Sequence, residues 1–273
     1  MRIVRGFQAA VVALALASLA PPPAKASACA GEPLQNGAIG RNECIVLKNF
    51  RGASVSGPPQ ALVVVVHGDV SGGGPASYHF AVAQSLVETP DLASSLAVAL
   101  VRPGYEDGAG NTSGGSHFGR SDSYTAANID EIAGVVEKLK QAHRPQRVVM
   151  VGHSGGAAMS AVLLGRHPGL VDGAVLVACP CDIGYWRMAN NWRPWTRSES
   201  PHRYADRVPP QTRVIALTGS GDTNTMPALA RDYVKRLADR GLQARFVSID
   251  GASHNSAFRS PEVVAAVVEL ATK

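Results

Sequence analysis

The chain has 273 residues, of which 45% are hydrophobic and 17% are charged. This length and composition are sufficient to bury one hydrophobic core, and they predict one domain of the size of a small enzyme. The formal net charge is +5, but the basic residues are not concentrated in runs. A nucleic-acid-binding surface is therefore not expected.

The N-terminus predicts a cleaved signal peptide over residues 1–28. A basic start, an apolar run of about a dozen residues and an exit of small residues follow one another, as in secretory leaders. The run is short for a membrane-spanning helix, which needs about 20 residues, and no later stretch is apolar enough. Cleavage is possible after Ala28 or Ala26, and a lipid anchor on Cys29 is the alternative. We expect a periplasmic or secreted protein, with a net charge of +2 once three basic residues of the leader are lost.

Four cysteines remain after the leader. An even number in an exported chain permits disulfide bonds, and we expect Cys29 to pair with Cys44 and to fix an N-terminal arm, residues 29–60. One proline separates Cys179 from Cys181, a spacing that usually strains a direct bridge, so this pairing stays open. Neither pair has the spacing and further ligands of a metal site, and no metal is expected.

Apolar, β-branched-rich segments alternate with amphipathic ones along most of the chain. The apolar segments predict buried strands over residues 61–66, 96–101, 147–151, 173–178, 213–217 and 244–249. The amphipathic segments predict helices over residues 76–87, 126–143, 155–166, 227–240 and 261–272. Continuous apolar strands suit a parallel sheet covered on both faces. The pattern predicts a doubly wound α/β fold with a mostly parallel sheet of about seven to eight strands, whose main domain is residues 61–273.

Two segments interrupt this alternation. Residues 104–123 are rich in Gly, Ser and Asn and predict a long loop, and residues 182–211 contain all three tryptophans. The second segment either packs over a binding pocket or forms a small satellite core. Its arginines Arg187, Arg193 and Arg197 are candidate ligands for a carboxylate, although arginines in loops are usually solvated.

Residues 152–156, Gly-His-Ser-Gly-Gly, stand between a predicted strand and a predicted helix. Small residues on both sides permit the sharp, strained turn that exposes a serine hydroxyl at the positive end of a helix. This context predicts Ser154 as a nucleophile. A glycine-rich turn that merely contains a serine is the alternative.

A serine hydroxyl needs a base, and His254 is the candidate because it follows the last predicted strand. Reactive groups collect at the carboxyl ends of strands in open α/β sheets. His153 lies within the turn and is expected to pack behind the site, whereas His117 and His202 are candidates for its lining.

Asp222 follows the penultimate strand, and we expect it to orient the base and stabilise its protonated form. A turn aspartate is the alternative interpretation, because Gly-x-Gly-Asp is also favourable turn chemistry. Asp182 and Asp250 are the other candidate acids.

Hydrogen-bond donors for an oxyanion complete such a site. We expect the backbone N–H groups of Gly155 and Asp69 in this role, with Val70 as the neighbouring candidate. The loop of residues 67–74 is also glycine-rich enough for a phosphate cradle, but it lacks the Gly-Lys-Ser/Thr ending of a P-loop.

These motifs resemble the α/β-hydrolase superfamily over residues 62–273. The matching features are His67-Gly68 after the predicted strand at 61–66, which corresponds to the third strand of the superfamily, and residues 102–105 (Arg-Pro-Gly-Tyr) after the strand at 96–101, its fourth. The turn around Ser154 and the chain order serine, aspartate, histidine also match. The turn and the acid-to-histidine stretch are most similar to the prolyl-oligopeptidase-like and dienelactone-hydrolase-like branches. No propeller domain precedes the main domain, however, and the 104–123 loop departs from the family pattern.

The resemblance implies that residues 182–211 are a cap inserted after the sixth strand. It implies an exported, carboxylesterase-like serine hydrolase with no metal or organic cofactor, acting on a small-molecule ester or a short peptide. A serine peptidase is the alternative, and a carbon–carbon hydrolase or a non-catalytic binding protein is less favoured. The residues expected to contact substrate are His67, Gly68, His153, Tyr185 and Trp186.

Overall fold

The computed structural model describes residues 28–31 and 34–273, so nearly all of the predicted leader lies outside the described residues. Within that part of the chain, eight strands form one sheet. The strands are β1 (Gly37–Ile39), β2 (Cys44–Arg51), β3 (Ala61–Val66), β4 (Leu96–Leu100), β5 (Arg147–His153), β6 (Gly173–Val177), β7 (Arg213–Gly219) and β8 (Ala244–Ile249). Their order in the sheet is β1-β2-β4-β3-β5-β6-β7-β8. β1 and β2 pair antiparallel, as do β2 and β4, and every later pair is parallel.

Helices cover both faces of the sheet. They are α1 (Tyr78–Glu88), α2 (Ala126–His143), α3 (Gly155–Arg166), α4 (Ile183–Ala189), α5 (Pro227–Asp239) and α6 (Pro261–Thr272). Buried side chains of α2, α3 and α5 pack with Leu62, Val64 and Val66 of β3. Those of α1 and α6 pack against the opposite face, with the alternate residues of the same strand. The prediction of a doubly wound, mostly parallel sheet is confirmed.

The predicted elements agree with the observed ones to within two residues at each end. The agreement has a simple cause, because every residue of β3, β4 and β6 is buried and their apolar runs therefore have no polar gaps. In the described residues no helix combines the length and apolarity needed to cross a membrane.

The two irregular segments differ from each other. Residues 104–123 form a loop whose one ladder contact is an isolated bridge between Glu106 and Thr112. Residues 182–211 contain α4 and two short 3-10 helices, Pro201–Arg203 and Ala205–Arg207. The second segment therefore has local order of its own, between β6 and β7.

Both cysteine pairs are bridged. The predicted bond between Cys29 and Cys44 is present and ties the start of the described chain to β2. Cys179 and Cys181, whose pairing the sequence left open, are also bonded, with a Cα–Cα distance of 5.1 Å. This distance lies within the usual range for disulfides, so the single intervening proline does not prevent the bond.

The antiparallel arm is attached to the main domain through a buried carboxylate on α2. Glu131 Oε2 accepts the backbone N–H groups of Arg41 at 2.7 Å, Asn42 at 3.1 Å and Glu43 at 3.1 Å. The same carboxylate approaches Gly40 so closely that a Cβ there would collide with it. One side chain thus satisfies the amides of the turn between β1 and β2.

We expect Glu131→Ala to lower the free energy of unfolding by about 2 kcal/mol, because it leaves these amides without their charged acceptor. Urea denaturation measures the change. Glu137→Ala is the matched control on the same helix, since its half-exposed carboxylate pairs with Arg41 at the surface and its loss is expected to change stability by about 0.5 kcal/mol or less. Equal losses in the two variants would contradict the anchoring role of Glu131.

Candidate active site

The turn between β5 and α3 places Ser154 in a left-handed backbone conformation, with φ at 51° and ψ at −118°. A Cβ at Gly152 would collide with Ala157, and one at Gly156 would collide with the carbonyl of Val66. Glycine is therefore required on both sides of the serine, as the sequence indicated. The strained conformation sets the side chain at the start of α3, where free backbone N–H groups point.

The loop after β3 packs directly against this turn. A Cβ at Gly68 would lie 2.9 Å from the Cβ of Ser154, and a Cβ at Gly155 would lie 2.8 Å from Oδ1 of Asp69. The two residues predicted to supply oxyanion donors, Gly155 and Asp69, are thus brought together beside the serine. Val70, the neighbouring candidate, lines an adjacent cavity.

His254 and Asp222 form a hydrogen-bonded pair, with Nδ1 of the histidine 2.9 Å from Oδ2 of the aspartate. The side chain of Asp222 is fully buried and that of His254 is 17% exposed. This orientation leaves Nε2 of the histidine for another partner. His254 and Ser154 line the same cavity.

Thr225 contacts both members of this pair, and the sequence alone did not identify it. Its hydroxyl donates to Oδ2 of Asp222 at 2.7 Å and lies 3.0 Å from Nδ1 of His254, while its N–H donates to Oδ1 of Asp222 at 2.9 Å. Asn224 N–H binds the same oxygen at 2.9 Å. An acidic residue followed three positions later by threonine is a recognisable turn signature, and it is the signal that points to Thr225.

Burial alone would raise the pKa of the Asp222 carboxyl, but the hydrogen bond and charge of His254 and the hydrogen bonds from Thr225 outweigh it and lower this pKa below its ordinary value. Asp222 is therefore ionised at neutral pH. A buried carboxylate in this state holds the histidine in one orientation.

Asp222→Asn tests this charge through the pH dependence of stability. A carboxyl whose pKa is lower in the folded than in the unfolded chain stabilises the fold above its unfolded pKa of about 3.9, and the contribution is lost as the pH falls through the folded pKa. We expect the free energy of unfolding to fall more steeply from about pH 5 to pH 3 in the unchanged protein than in the variant. Urea denaturation at each pH measures this. Parallel curves would show that the partners of Asp222 do not favour its ionised form.

His153 connects His254 to the loop after β3. Its Nδ1 lies 2.7 Å from the hydroxyl of Tyr78, which in turn accepts the N–H of Gly68 at 2.6 Å. Its Nε2 lies 3.0 Å from the backbone carbonyl of His254, and its ring stacks on Phe258 at 4.7 Å. The Nε2–H tautomer satisfies every one of these contacts, since Tyr78 then donates to Nδ1.

Burial and the nearby charge of His254 lower the pKa of His153 to about 4. The side chain is consequently neutral at neutral pH and acts as a hydrogen-bonding link. It is nine-tenths buried, as the packing interpretation expected, yet part of it also lines the cavity that holds Ser154. No role was predicted for Tyr78, its partner.

An ion pair between Arg102 and Asp69 lies beside Gly155. Asp69 Oδ1 accepts from Arg102 Nη1 at 2.9 Å, and Oδ2 accepts from the hydroxyl of Tyr124 at 2.6 Å. The Arg102 guanidinium is buried between the rings of Tyr105 and Tyr124, each 5.2 Å away. The negative charge of the Asp69 carboxylate is thereby balanced by the Arg102 guanidinium next to Gly155. Residues 102–105 were recognised as a motif, but this function of Arg102 was not.

Three residues that were expected to contact substrate, His67, Gly68 and Tyr185, do not line the cavity of Ser154. His67 is fully buried, with Nδ1 bonded to the Gly68 carbonyl at 2.6 Å and Nε2 accepting the Arg102 N–H at 2.9 Å. It supports the loop and does not line the cavity. Tyr185 is 50% exposed and lines a separate hollow against α5, because the short helix α4 turns it away from its neighbour Trp186.

The alternative candidates are also accounted for. Asp182 accepts the N–H of Tyr185 as the N-cap of α4, and Asp250 accepts from the hydroxyl of Ser220. Neither carboxylate is bonded to His254. His117 packs against Tyr105, and His202 bonds to Ser200, so neither histidine lines the site.

The cavity at Ser154 has a volume of about 630 Å³. Its walls come from the turn, from the 104–123 loop and from residues 182–211, which contribute Trp186, Arg187, Trp192 and Trp195. A second cavity of about 610 Å³ adjoins it and is lined by Val70, Tyr78, Phe258 and Arg259 among others. Within the described residues no cluster of potential metal ligands occurs.

A sequence model of the family described as alpha/beta hydrolase fold matches residues 49–203. Est1E from Butyrivibrio proteoclasticus, in a structure with ferulic acid bound, is 15% identical over 84% of this chain and 97% of that one, with a TM-score of 0.62. The thermophilic esterase Est2 from Thermogutta terrifontis is 14% identical over 85% and 92%, with a TM-score of 0.62. The Pyrobaculum calidifontis esterase is 16% identical over 86% and 81%, again with a TM-score of 0.62.

No curated protein matches the sequence significantly. Identities this low show a shared fold alone, whereas the family match covers more than half of the chain. The chain belongs to the α/β-hydrolase fold family.

Proposed function

We propose that this chain is an exported serine hydrolase that cleaves carboxylic esters through an acyl-enzyme on Ser154. The observation that carries the proposal is that His254, bonded to the buried Asp222, lines the same cavity as Ser154. Nucleophile, base and orienting acid are the three groups that acyl transfer requires. They lie at the carboxyl ends of β5, β7 and β8.

The reaction proceeds in two steps. His254 removes the proton of the Ser154 hydroxyl as Oγ forms a bond to the ester carbonyl carbon, and Asp222 stabilises the protonated imidazole. Cleavage of the ester C–O bond expels the alcohol, which takes the proton from His254. Water then attacks the acyl group and gives its proton to His254. Release of the acid returns that proton to Ser154.

The oxyanion formed in each step is stabilised by the backbone N–H groups of Gly155 and Asp69. The ion pair behind this position supports the assignment. A carboxylate beside a developing negative charge would oppose it, but Arg102 and Tyr124 already bind both oxygens of Asp69. The side chain of Asp69 therefore adds little repulsion at the point where its amide is needed.

A small ester is favoured over a folded protein or a long peptide as substrate. The cavity volume of about 630 Å³ lies within the range of about 300–1,000 Å³ that is usual for small-molecule sites. Residues 182–211 supply one of its walls. A peptidase uses the same catalytic groups and is separated from an esterase by the substrates it turns over.

Export rests on the leader predicted over residues 1–28 and on the disulfides. Two bridges, Cys29–Cys44 and Cys179–Cys181, are present in the described part of the chain. Disulfides persist in oxidising compartments and are rare in the cytosol. A periplasmic or secreted location fits both features.

Reaction with a fluorophosphonate probe, followed by mass mapping of the labelled peptide, tests the proposed nucleophile. We expect labelling at Ser154, with loss of labelling in Ser154→Ala and a large decrease in His254→Ala, because the hydroxyl needs its base. Ser94→Ala is the control, since this exposed serine precedes β4 at the opposite end of the strands. A folded protein that is not labelled would contradict the proposal, and faster turnover of aminoacyl amides than of p-nitrophenyl esters would favour a peptidase.

Tyr78 is expected to act as a positioning residue through His153. Tyr78→Phe removes the hydroxyl that joins Gly68 to His153, and we expect kcat to fall roughly tenfold with little change in KM, as for the loss of about one hydrogen bond. Steady-state kinetics on a p-nitrophenyl ester measure both constants. Tyr233→Phe is the matched control, because this buried hydroxyl makes a 3.4 Å contact with the Ala161 carbonyl outside the site. An unchanged kcat in Tyr78→Phe would exclude the link.

A further inference from the structure

Arg187 of α4 lines the cavity that contains Ser154. Its guanidinium carbon lies 4.7 Å from the ring centre of Trp195, 4.8 Å from that of Trp192 and 5.5 Å from that of Trp186. Three indole rings around one guanidinium restrict its plane and supply cation–π attraction. The cation is thus held in place before any ligand arrives.

The donors of this guanidinium are largely unused. Its Nε donates to the carbonyl of Arg193 at 2.9 Å. Among the residues that the structure describes, no oxygen accepts a hydrogen bond from its two terminal nitrogens, and no carboxylate lies within ion-pair distance of it. The terminal edge of the fork, which is the edge that binds a carboxylate in bidentate fashion, remains available.

The acidic groups that interact with Arg187 are already bound by other groups. Both oxygens of Asp69 are held by Arg102 and Tyr124. Asp122 accepts the backbone N–H groups of residues 196–198 and lies 3.7 Å from Arg197 Nε. Burial is the largest effect on the pKa of Arg187 and lowers it below its ordinary value, as expected for a cation without a close partner.

A second cation strengthens the positive character of the cavity. Arg120 of the 104–123 loop also lines it, but its terminal nitrogens donate to the carbonyls of Val70 at 2.7 Å and Gly74 at 2.8 Å. Arg120 therefore adds charge while Arg187 offers open donors. Of the three arginines that the sequence marked as candidate ligands, Arg187 is the one that reaches the cavity, whereas Arg193 and Arg197 do not line it.

We propose that Arg187 binds a carboxylate of the substrate, so that the preferred substrates are esters that carry a carboxylate on the acyl or the alcohol side. This inference rests on the proposed ester hydrolysis at Ser154 and names its substrate class. The tryptophans around the guanidinium form an apolar wall for the carbon skeleton next to the carboxylate. The terminal N–H groups of Arg187 fix the anionic end.

Matched ester pairs test the proposal. The first pair is mono-p-nitrophenyl glutarate and its methyl ester, which differ in charge on the acyl side. The second pair is 4-acetoxybenzoate and 4-acetoxybenzamide, which differ on the alcohol side. We expect kcat/KM to favour the charged member of one pair by about 10- to 100-fold, the effect of a charge-assisted bidentate contact, and the pair that responds identifies the side.

The variants assign the preference to one residue. Arg187→Met is expected to abolish the preference, so that kcat/KM for the charged ester falls to that for its neutral partner, and Arg187→Lys, which keeps the charge without the fork, is expected to retain part of it. Arg203→Met removes the same charge from an exposed position of the same segment and is expected to keep the full preference. Loss in both methionine variants would indicate a general field and would overturn the specific contact.

Failure of the inference is distinguishable from failure of the proposed function. An unchanged protein that hydrolyses charged and neutral esters equally, with Arg187→Met behaving likewise, would remove the carboxylate site and leave the esterase intact. An unchanged protein that hydrolyses no ester and is not labelled at Ser154 would remove both. A preference for the neutral ester would also overturn the inference.

Discussion

Three segments of backbone meet at the turn that carries Ser154, and the geometry of the site depends on how closely they approach. β5 enters the turn, α3 leaves it, and the loop after β3 lies against both. Side chains at Gly152, Gly156 or Gly68 would fill the space where these segments touch. The left-handed conformation of Ser154 is kept because the surrounding structure leaves no room for a relaxed one. A packed β-sheet with helices on both faces supplies that rigidity.

Buried polar groups connect this turn to the other strand ends of the candidate site. A neutral His153 joins the end of β5 to the segment after β8, and through Tyr78 it reaches the loop after β3. On the other side, Arg102 and Asp69 join the end of β4 to the same loop. Hydrogen bonds of this kind are worth most when every member has a partner, since an unpaired buried group is costly. The network therefore couples the positions of four strand ends, those of β3, β4, β5 and β8.

The sequence predicted the fold well because the central strands, β3 to β7, are almost entirely buried and the major helices carry apolar residues at helical spacing, and both patterns are local. It also predicted which residues follow the strand ends, because these positions depend on chain order. It could not predict the pairing of Arg102 with Asp69, 33 positions apart, or the second contact that Thr225 makes with the histidine. The prediction that Tyr185 contacts substrate was wrong because it, too, depends on contacts between distant segments. In a helix of seven residues, the face turned inward is decided by contacts with distant segments and not by the helix's own pattern.

Residues 182–211 form one uninterrupted stretch of chain between β6 and β7, while the groups proposed for the chemistry stand at strand ends outside it. The cavity-lining part of the stretch is joined to the rest of the site chiefly by Trp186, whose Nε1 donates to the carbonyl of Asn224, whereas Tyr204, Ala205 and Val208 are buried in the core shared with α3. Substitutions among its cavity-lining residues can therefore alter the cavity wall without altering the sheet. Different segments of the sequence therefore supply the cavity wall and the groups proposed for the chemistry. Proteins built in this way can change what they bind while their reaction stays the same.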